Sequence, residues 1–226
     1  MKTFNHNLLD LPKLERIDGD LRYYKTPCGK LYPSATTVLG KTADKDFLVK
    51  WQNRVGIDEA EKIKNRSAIR GTAVHNMCEN LVLNRPIDYS KQMPFNVNLF
   101  NQIKKVLIEN VDNIRASEAT LFSHKLKMAG SVDLVADYRG KPAIIDFKTS
   151  IRNKKPEWIV DYRLQTTAYS IMLHEMTGII CPRISIIICI EEENQAQVFE
   201  DKVANWTKEL FSRSNQFHVA VDAGLM

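Results

Sequence analysis

Two short apolar runs joined by a turn constrain this chain more than any other feature. One spans Ser131 to Asp137 and opens on Gly130-Ser-Val-Asp133; the other is Ala143-Ile-Ile-Asp146-Phe-Lys148. The Tyr138-Arg-Gly-Lys-Pro142 segment between them carries turn residues, so the runs are predicted to pair as a β-hairpin. On an extended strand Asp146 and Lys148 leave the same face and the apolar Phe147 leaves the other. The hairpin brings Asp133 beside Asp146. Two carboxylates so placed repel unless a cation lies between them, and hard oxygen ligands suit Mg²⁺ or Mn²⁺. Lys148 then supplies positive charge to a developing phosphorane or steers an attacking water. An Asp-x-Lys on a strand is commonly an exposed ion pair. Here the strand reads as mostly buried, where unpaired charge is costly and marks function.

Upstream, Arg70-Gly-Thr-Ala-Val-His75-Asn-Met-Cys-Glu79 lies where Ala68, Ile69, Ala73, Val74, Met77, Cys78, Leu81 and Val82 recur at helical spacing. His75 and Glu79 are one turn apart on one face. Gly71 lets the helix pass close to a backbone or a phosphate, and His75 can offer a neutral imidazole nitrogen to the metal. A lone histidine is nonetheless more often a core or surface residue. With a nitrogen among the ligands, Mn²⁺ is expected to bind more tightly than Mg²⁺. Downstream, Gln165-Thr-Thr-Ala-Tyr169 falls in a helix predicted from Pro156 to Thr177. An amide and a phenol on one helix face can hold a phosphate or a base, or simply cover a packed surface.

The ordered set Gly71-xxx-His75, Gly130-xx-Asp133, Asp146-x-Lys148 and Gln165-xxx-Tyr169 resembles the RecB-like branch of the PD-(D/E)XK nuclease superfamily. Within it, Tyr32-Pro-Ser-Ala-Thr-Thr-Val-Leu39 followed by Lys50-Trp51 is similar to the corresponding stretch of single-domain phage and mitochondrial genome maintenance type exonucleases. The resemblance spans about Tyr32 to Tyr169. It implies that His75, Asp133, Asp146 and the main-chain carbonyl of Phe147 ligate the metal and that Lys148 is the catalytic lysine. It also implies that Gln165 and Tyr169 bind substrate; Arg70, from the basic run before His75, is a further candidate substrate contact. Glu118 occupies the place where many members carry an acid on the first core strand, and Glu118 and Glu79 are expected to support the ligands from behind. The fold implied is α/β: a restriction endonuclease-like core with a central mixed sheet flanked by helices and an N-terminal helical layer.

Relatives with an iron-sulfur cluster bind it through one cysteine before the core and a close trio after it. This chain has Cys28, Cys78, Cys181 and Cys189, a spacing that argues against a cluster and reads as core filling. Neither a secreted disulfide framework nor a signal peptide is evident, which points to a reducing compartment: the cytoplasm of a bacterium or phage-infected cell, or an organelle after processing. No apolar run approaches the ~20 residues that cross a bilayer. The net charge of +5 permits nucleic-acid binding without demonstrating it. Two basic clusters, Lys62, Lys64, Arg66 and Arg70, then Lys148, Arg152, Lys154 and Lys155, can meet a phosphate backbone or can be solvated faces.

At 226 residues, 44% of them hydrophobic with only 9 glycines and 8 prolines, the chain can bury a substantial core. One nuclease domain over 1–226 is expected: an extension over 1–40, a helical region over 41–112 and the core over 113–226. The extension holds a possible hairpin with its turn at Thr26-Pro-Cys-Gly29, then a helix cap at Ser34 or Thr36. Helices are predicted over 44–64, 67–83, 94–110 and 201–217, and strands over 115–123, 127–138, 143–148, 183–190 and 196–199. Trp51, Tyr89, Phe95 and Phe100 in the helical region are core residues or platforms for unpaired bases. The expected function is a metal-dependent DNA exonuclease preferring single strands or free ends, used in replication, recombination or repair. The alternatives are a structure-selective or restriction-like endonuclease and a DNA-binding protein without catalysis.

Overall fold

The computed structural model describes residues 2–44 and 46–225. The N-terminal stretch forms a small antiparallel sheet of β1 (Glu15–Ile17), β2 (Tyr23–Lys25) and β3 (Leu31–Pro33). Thr26-Pro-Cys-Gly29 makes the expected turn, its Thr26 and Gly29 N–H groups donating to the Lys30 and Thr26 carbonyls at 2.8 and 2.9 Å. The strand β1 was not anticipated. Ser34 accepts the Thr37 N–H at 3.0 Å and so caps α1 (Ala35–Thr42).

Next come α2 (Asp46–Val55), α3 (Ile57–Val82) and α4 (Pro94–Asn110). The break expected near residue 65 falls instead at Gly56, whose φ of 86° lies in the left-handed region where only glycine sits without strain. Asn65-Arg66-Ser67 contains nothing that stops a helix, and α3 runs through it for 26 residues. Lys45, inside the expected 44–64 helix, lies outside the described residues.

Among the described residues the main sheet has the order β4 (Val111–Ser123), β5 (Met128–Tyr138), β6 (Lys141–Ser150), β7 (Arg183–Ile190) and β8 (Gln197–Lys202). It is mixed: β6 and β7 run parallel, and the other neighbours are antiparallel. The parallel pair needs a long crossover. A 3₁₀ turn over Pro156–Ile159 and then α5 (Val160–Thr177) provide it, and α6 (Val203–Asp222) closes the chain. The β5–β6 connection is a two-residue turn in which Arg139 and Gly140 both have positive φ, 49° and 71°. That conformation matches the twist of the flanking strands and fixes their register at Tyr138↔Lys141.

Alternation along β6 divides the core. Ala143, Ile145 and Phe147 pack with Val74, Met77, Leu99 and Phe100 of α3 and α4. Ile144 faces Leu164, Met172, Leu210 and Phe217 of α5 and α6 on the other side. Helices therefore cover both faces of the sheet, as expected of this fold class. None of the helices among the described residues is long and apolar enough to cross a membrane.

Candidate active site

The β5–β6 ladder ends at the pair Leu134↔Ile145. One residue further on, the Asp133 carboxylate takes over from the backbone: its Oδ2 accepts the Phe147 N–H at 2.7 Å. Asp146 and Lys148 share a face as the strand period requires, with Lys148 Nζ 2.5 Å from Asp146 Oδ2. Tyr162 of α5 lies on the same side, its ring centroid 5.1 Å from that Nζ. The buried Val74, Met77 and Cys78 anchor α3 so that His75 approaches the end of this ladder. There His75 Nε2 lies 2.9 Å from the Phe147 carbonyl oxygen, while Nδ1 is 3.4 Å from Glu118 Oε1 and 3.6 Å from Asp133 Oδ1.

Glu118 reaches the site through an unusual backbone. Its neighbours Ser117 and Ala119 pair with Leu134 and Val132, but Glu118 itself has a φ of 48°. A left-handed non-glycine residue inside a strand costs on the order of 1 to 3 kcal/mol and persists where surrounding structure imposes it. The sequence gives no sign of this conformation.

The donor set fits a hard divalent cation. One ligand atom each from His75, Glu118 and Asp133 lie within 4.8 Å of one another. Asp146 is only 1% exposed; Lys148 Nζ meets its Oδ2, and its Oδ1 has no hydrogen-bond partner among the described residues. A buried carboxylate in that condition is costly unless a cation meets it. Burial pushes both acids up, Asp146 to about 6 even with Lys148 pulling the other way. Burial alone would lower the Lys148 ammonium, but Asp146 and Asp133 more than offset it and hold the group above the ordinary lysine value. His75 behaves alike: burial lowers it, while Asp133 and Glu118 raise it to about 9.

On the α5 side, Gln165 Nε2 donates to the Tyr169 hydroxyl at 3.1 Å, and both residues are largely buried. Burial pushes the Tyr169 phenol well up, so it stays protonated and can donate a hydrogen bond. Gly130 explains how closely the strand and helix approach: a Cβ there would stand 2.8 Å from Tyr169 Cε1 and 3.1 Å from its hydroxyl.

Two residues expected at the site are engaged elsewhere. Arg70 pairs with Glu191 just beyond β7. Glu79 pairs with Arg85 at 3.3 Å. Of the aromatics in the helical region, Phe100 is fully buried, while Tyr89 and Phe95 are 41% and 42% exposed. Cys78, Cys181 and Cys189 are buried, and Cys28 is exposed. Tyr162 is a neighbour of the site that sequence reading missed. Its signal was present, since residues 162, 165 and 169 share one helix face at i, i+3 and i+7.

The model of the PD-(D/E)XK nuclease superfamily matches residues 47–217. The chain is 29% identical over 150 residues to mitochondrial genome maintenance exonuclease 1 of Homo sapiens, covering 61% of this chain and 42% of that protein. The proteins of the same name from Mus musculus and Xenopus tropicalis are 28% identical over 148 residues and 26% identical over 182. These alignments cover 61% and 73% of this chain, and 43% and 51% of the relatives. The chain thus spans about half the length of the curated relatives it matches. The superfamily match extends over most of the chain and takes in each of the four motifs gathered around Asp146, so this protein belongs to the PD-(D/E)XK nuclease superfamily.

Proposed function

We propose that this chain is a metal-dependent deoxyribonuclease, an exonuclease that hydrolyses phosphodiester bonds in single strands or at free ends during DNA replication, recombination or repair. One observation carries the reading: Asp146, 1% exposed, meets Lys148 Nζ at 2.5 Å on the face toward α5. The relatives' name supports exonuclease action. It places those proteins in mitochondria, which favours an organellar setting over the bacterial or phage-infected cytoplasm. The whole of 1–226 is read as one nuclease domain, its sheet beginning at Val111 behind the helical layer.

In this reading Asp133, Asp146, His75 and the Phe147 carbonyl would hold Mg²⁺ or Mn²⁺, which would supply positive charge to the substrate phosphate. Glu118 orients His75 through Nδ1. Lys148 is fixed between Asp146 and Tyr162 and is a cation at neutral pH, so it stabilises negative charge gathering at phosphorus. Tyr169 donates a hydrogen bond to the strand, and Gln165 holds the phenol in place. Arg70 and Glu79 take no part, being paired to Glu191 and Arg85.

The test is digestion of 5′- and 3′-labelled single strands beside a single-stranded circle, by wild type and Lys148→Ala, in Mg²⁺, Mn²⁺ and EDTA. Loss of the linear strands alone, requiring metal and Lys148, is expected and gives the polarity. Cut circles would replace the reading with an endonuclease, and inert wild type would leave a DNA-binding protein.

A further inference from the structure

Burial does not explain Trp158. It is 56% exposed, whereas the next residue, Ile159, is fully buried with Ile186, Ile188 and Ile190 of β7. The turn that carries it is firmly held: the Trp158 N–H donates to the Lys155 carbonyl at 3.0 Å. Just before it, the Lys154 N–H donates to Gln197 Oε1 at 2.7 Å, and Asn153 Nδ2 donates to Glu193 Oε1 at 2.6 Å. Lys155 Nζ stands 5.4 Å from the Trp158 ring centroid. The result is an aromatic plate that more than half faces solvent on a backbone held by these bonds.

Its position relates it to the site. Ile159 packs with Tyr162, and the Tyr162 ring stands beside Lys148 Nζ. Trp158 precedes Tyr162 by four residues, a rise of roughly 6 to 8 Å. On a nucleic-acid strand that is on the order of one or two nucleotides, the stacked spacing being about 3.4 Å each. Arg152, Lys154 and Lys155 lie in the same connection between β6 and the turn, so the plate stands in a basic segment that complements phosphates. An indole stacks on any base, provided the base is unpaired.

We propose that Trp158 is a stacking platform for an unpaired nucleobase one or two nucleotides from the phosphate at Lys148, and that it sets the preference for single strands over duplex. The inference rests on the nuclease reading above and names the substrate feature that the site recognises.

The experiment is titration of the full chain, in EDTA to prevent turnover, with an oligothymidylate and with the same strand carrying one abasic position moved along it. Binding is followed by tryptophan fluorescence and by anisotropy of a labelled strand. Wild type is expected to be quenched, and Trp158→Phe to lose most of that quench while still binding. Trp158→Ala should bind about 5- to 150-fold more weakly, the range that ~1 to 3 kcal/mol of stacking per base produces. In metal, Trp158→Ala should raise KM for single strands more than it lowers kcat and should narrow the gap to duplex DNA. One abasic position should weaken wild type and leave Trp158→Ala unaffected. Equal binding and equal strand preference in wild type and Trp158→Ala, with wild type cutting DNA normally, would overturn this inference and leave the nuclease reading intact. Wild type that neither binds nor cuts DNA would overturn that reading, and this inference with it.

Discussion

At Gly130 a missing side chain sets the position of the Tyr169 phenol. A methyl group there would overlap the ring at 2.8 Å, and Tyr169, 3% exposed and held by Gln165, has little room to yield. Gly130→Ala is therefore expected to lower kcat/KM on the order of 10- to 100-fold, the scale of an ångström misplacement at a reacting centre. Circular dichroism should remain native. Unchanged turnover would mean that Tyr169 does not contact the strand. Asp146 supports a second prediction. Because its buried Oδ1 lacks a partner, Mn²⁺ at a hundred times its Kd should stabilise the fold by ~2.7 kcal/mol, or roughly 5 to 11 °C in Tm, and Mg²⁺ by less at equal concentration. Differential scanning fluorimetry checks it, and Asp146→Asn should abolish most of the shift. Asp133, Asp146 and Lys148 were legible because the period of a strand alone decides which side chains share a face. Glu118 was expected near the ligands from the resemblance, but its positive φ is announced by no residue pattern.

Single elements were legible where local chemistry dictates them. The Arg139-Gly140 turn and the Ser34 cap follow from residues that favour those conformations over others. The helix boundary near residue 56 did not, because Gly56, which takes the left-handed φ, sits inside a run that otherwise reads as one helix. The start of α6 rests on Asp201, whose carboxylate accepts the Trp206 indole N–H at 2.7 Å, the Asn205 amide at 2.7 Å and the Lys202 N–H at 2.8 Å. Burial tends to raise this carboxyl, but the three donors and Arg163 outweigh it and hold the group below the usual aspartate value. A carboxylate depressed in the folded state adds stability above the unfolded pKa of about 3.9 and loses it as pH falls through the lower, folded value. Asp201→Ala should thus cost about 2 kcal/mol at pH 7, roughly 4 to 8 °C in Tm, and this difference should shrink on acidification toward pH 3. A difference that stayed constant down to pH 3 would assign the loss to packing of Trp206 instead of to the charge.

At the scale of the molecule, the sheet with helices on both faces follows from apolar runs of the right lengths, and the sequence reveals it. The attachment of the N-terminus does not show there, because its few apolar residues follow no period. Phe4 is nonetheless 2% exposed and packs into the core formed by α3, α4 and the sheet. Asn84, just past the end of α3, clasps it by accepting the Phe4 N–H and donating to the Phe4 carbonyl, both at 2.9 Å. Three further backbone bonds join the segment to β4, from Ile114 N–H to the Asn5 carbonyl, from Asn7 N–H to the Ile114 carbonyl and from Leu9 N–H to the Arg115 carbonyl, each 2.8 Å. These ties hold the first residues against the helix that carries His75 and the strand that carries Glu118. Phe4→Ala removes a full aromatic side chain from that core and is expected to cost about 3 to 5 kcal/mol. Urea denaturation should show the midpoint falling with an unchanged slope. The stronger claim concerns the site, since a loosened α3 end and β4 would let His75 and Glu118 drift from Asp133. Mn²⁺ affinity measured by calorimetry well below the melting range should then weaken in Phe4→Ala and in Asn84→Ala alike. Affinity equal to wild type in both variants would show that the N-terminal segment stabilises the fold without positioning the metal ligands.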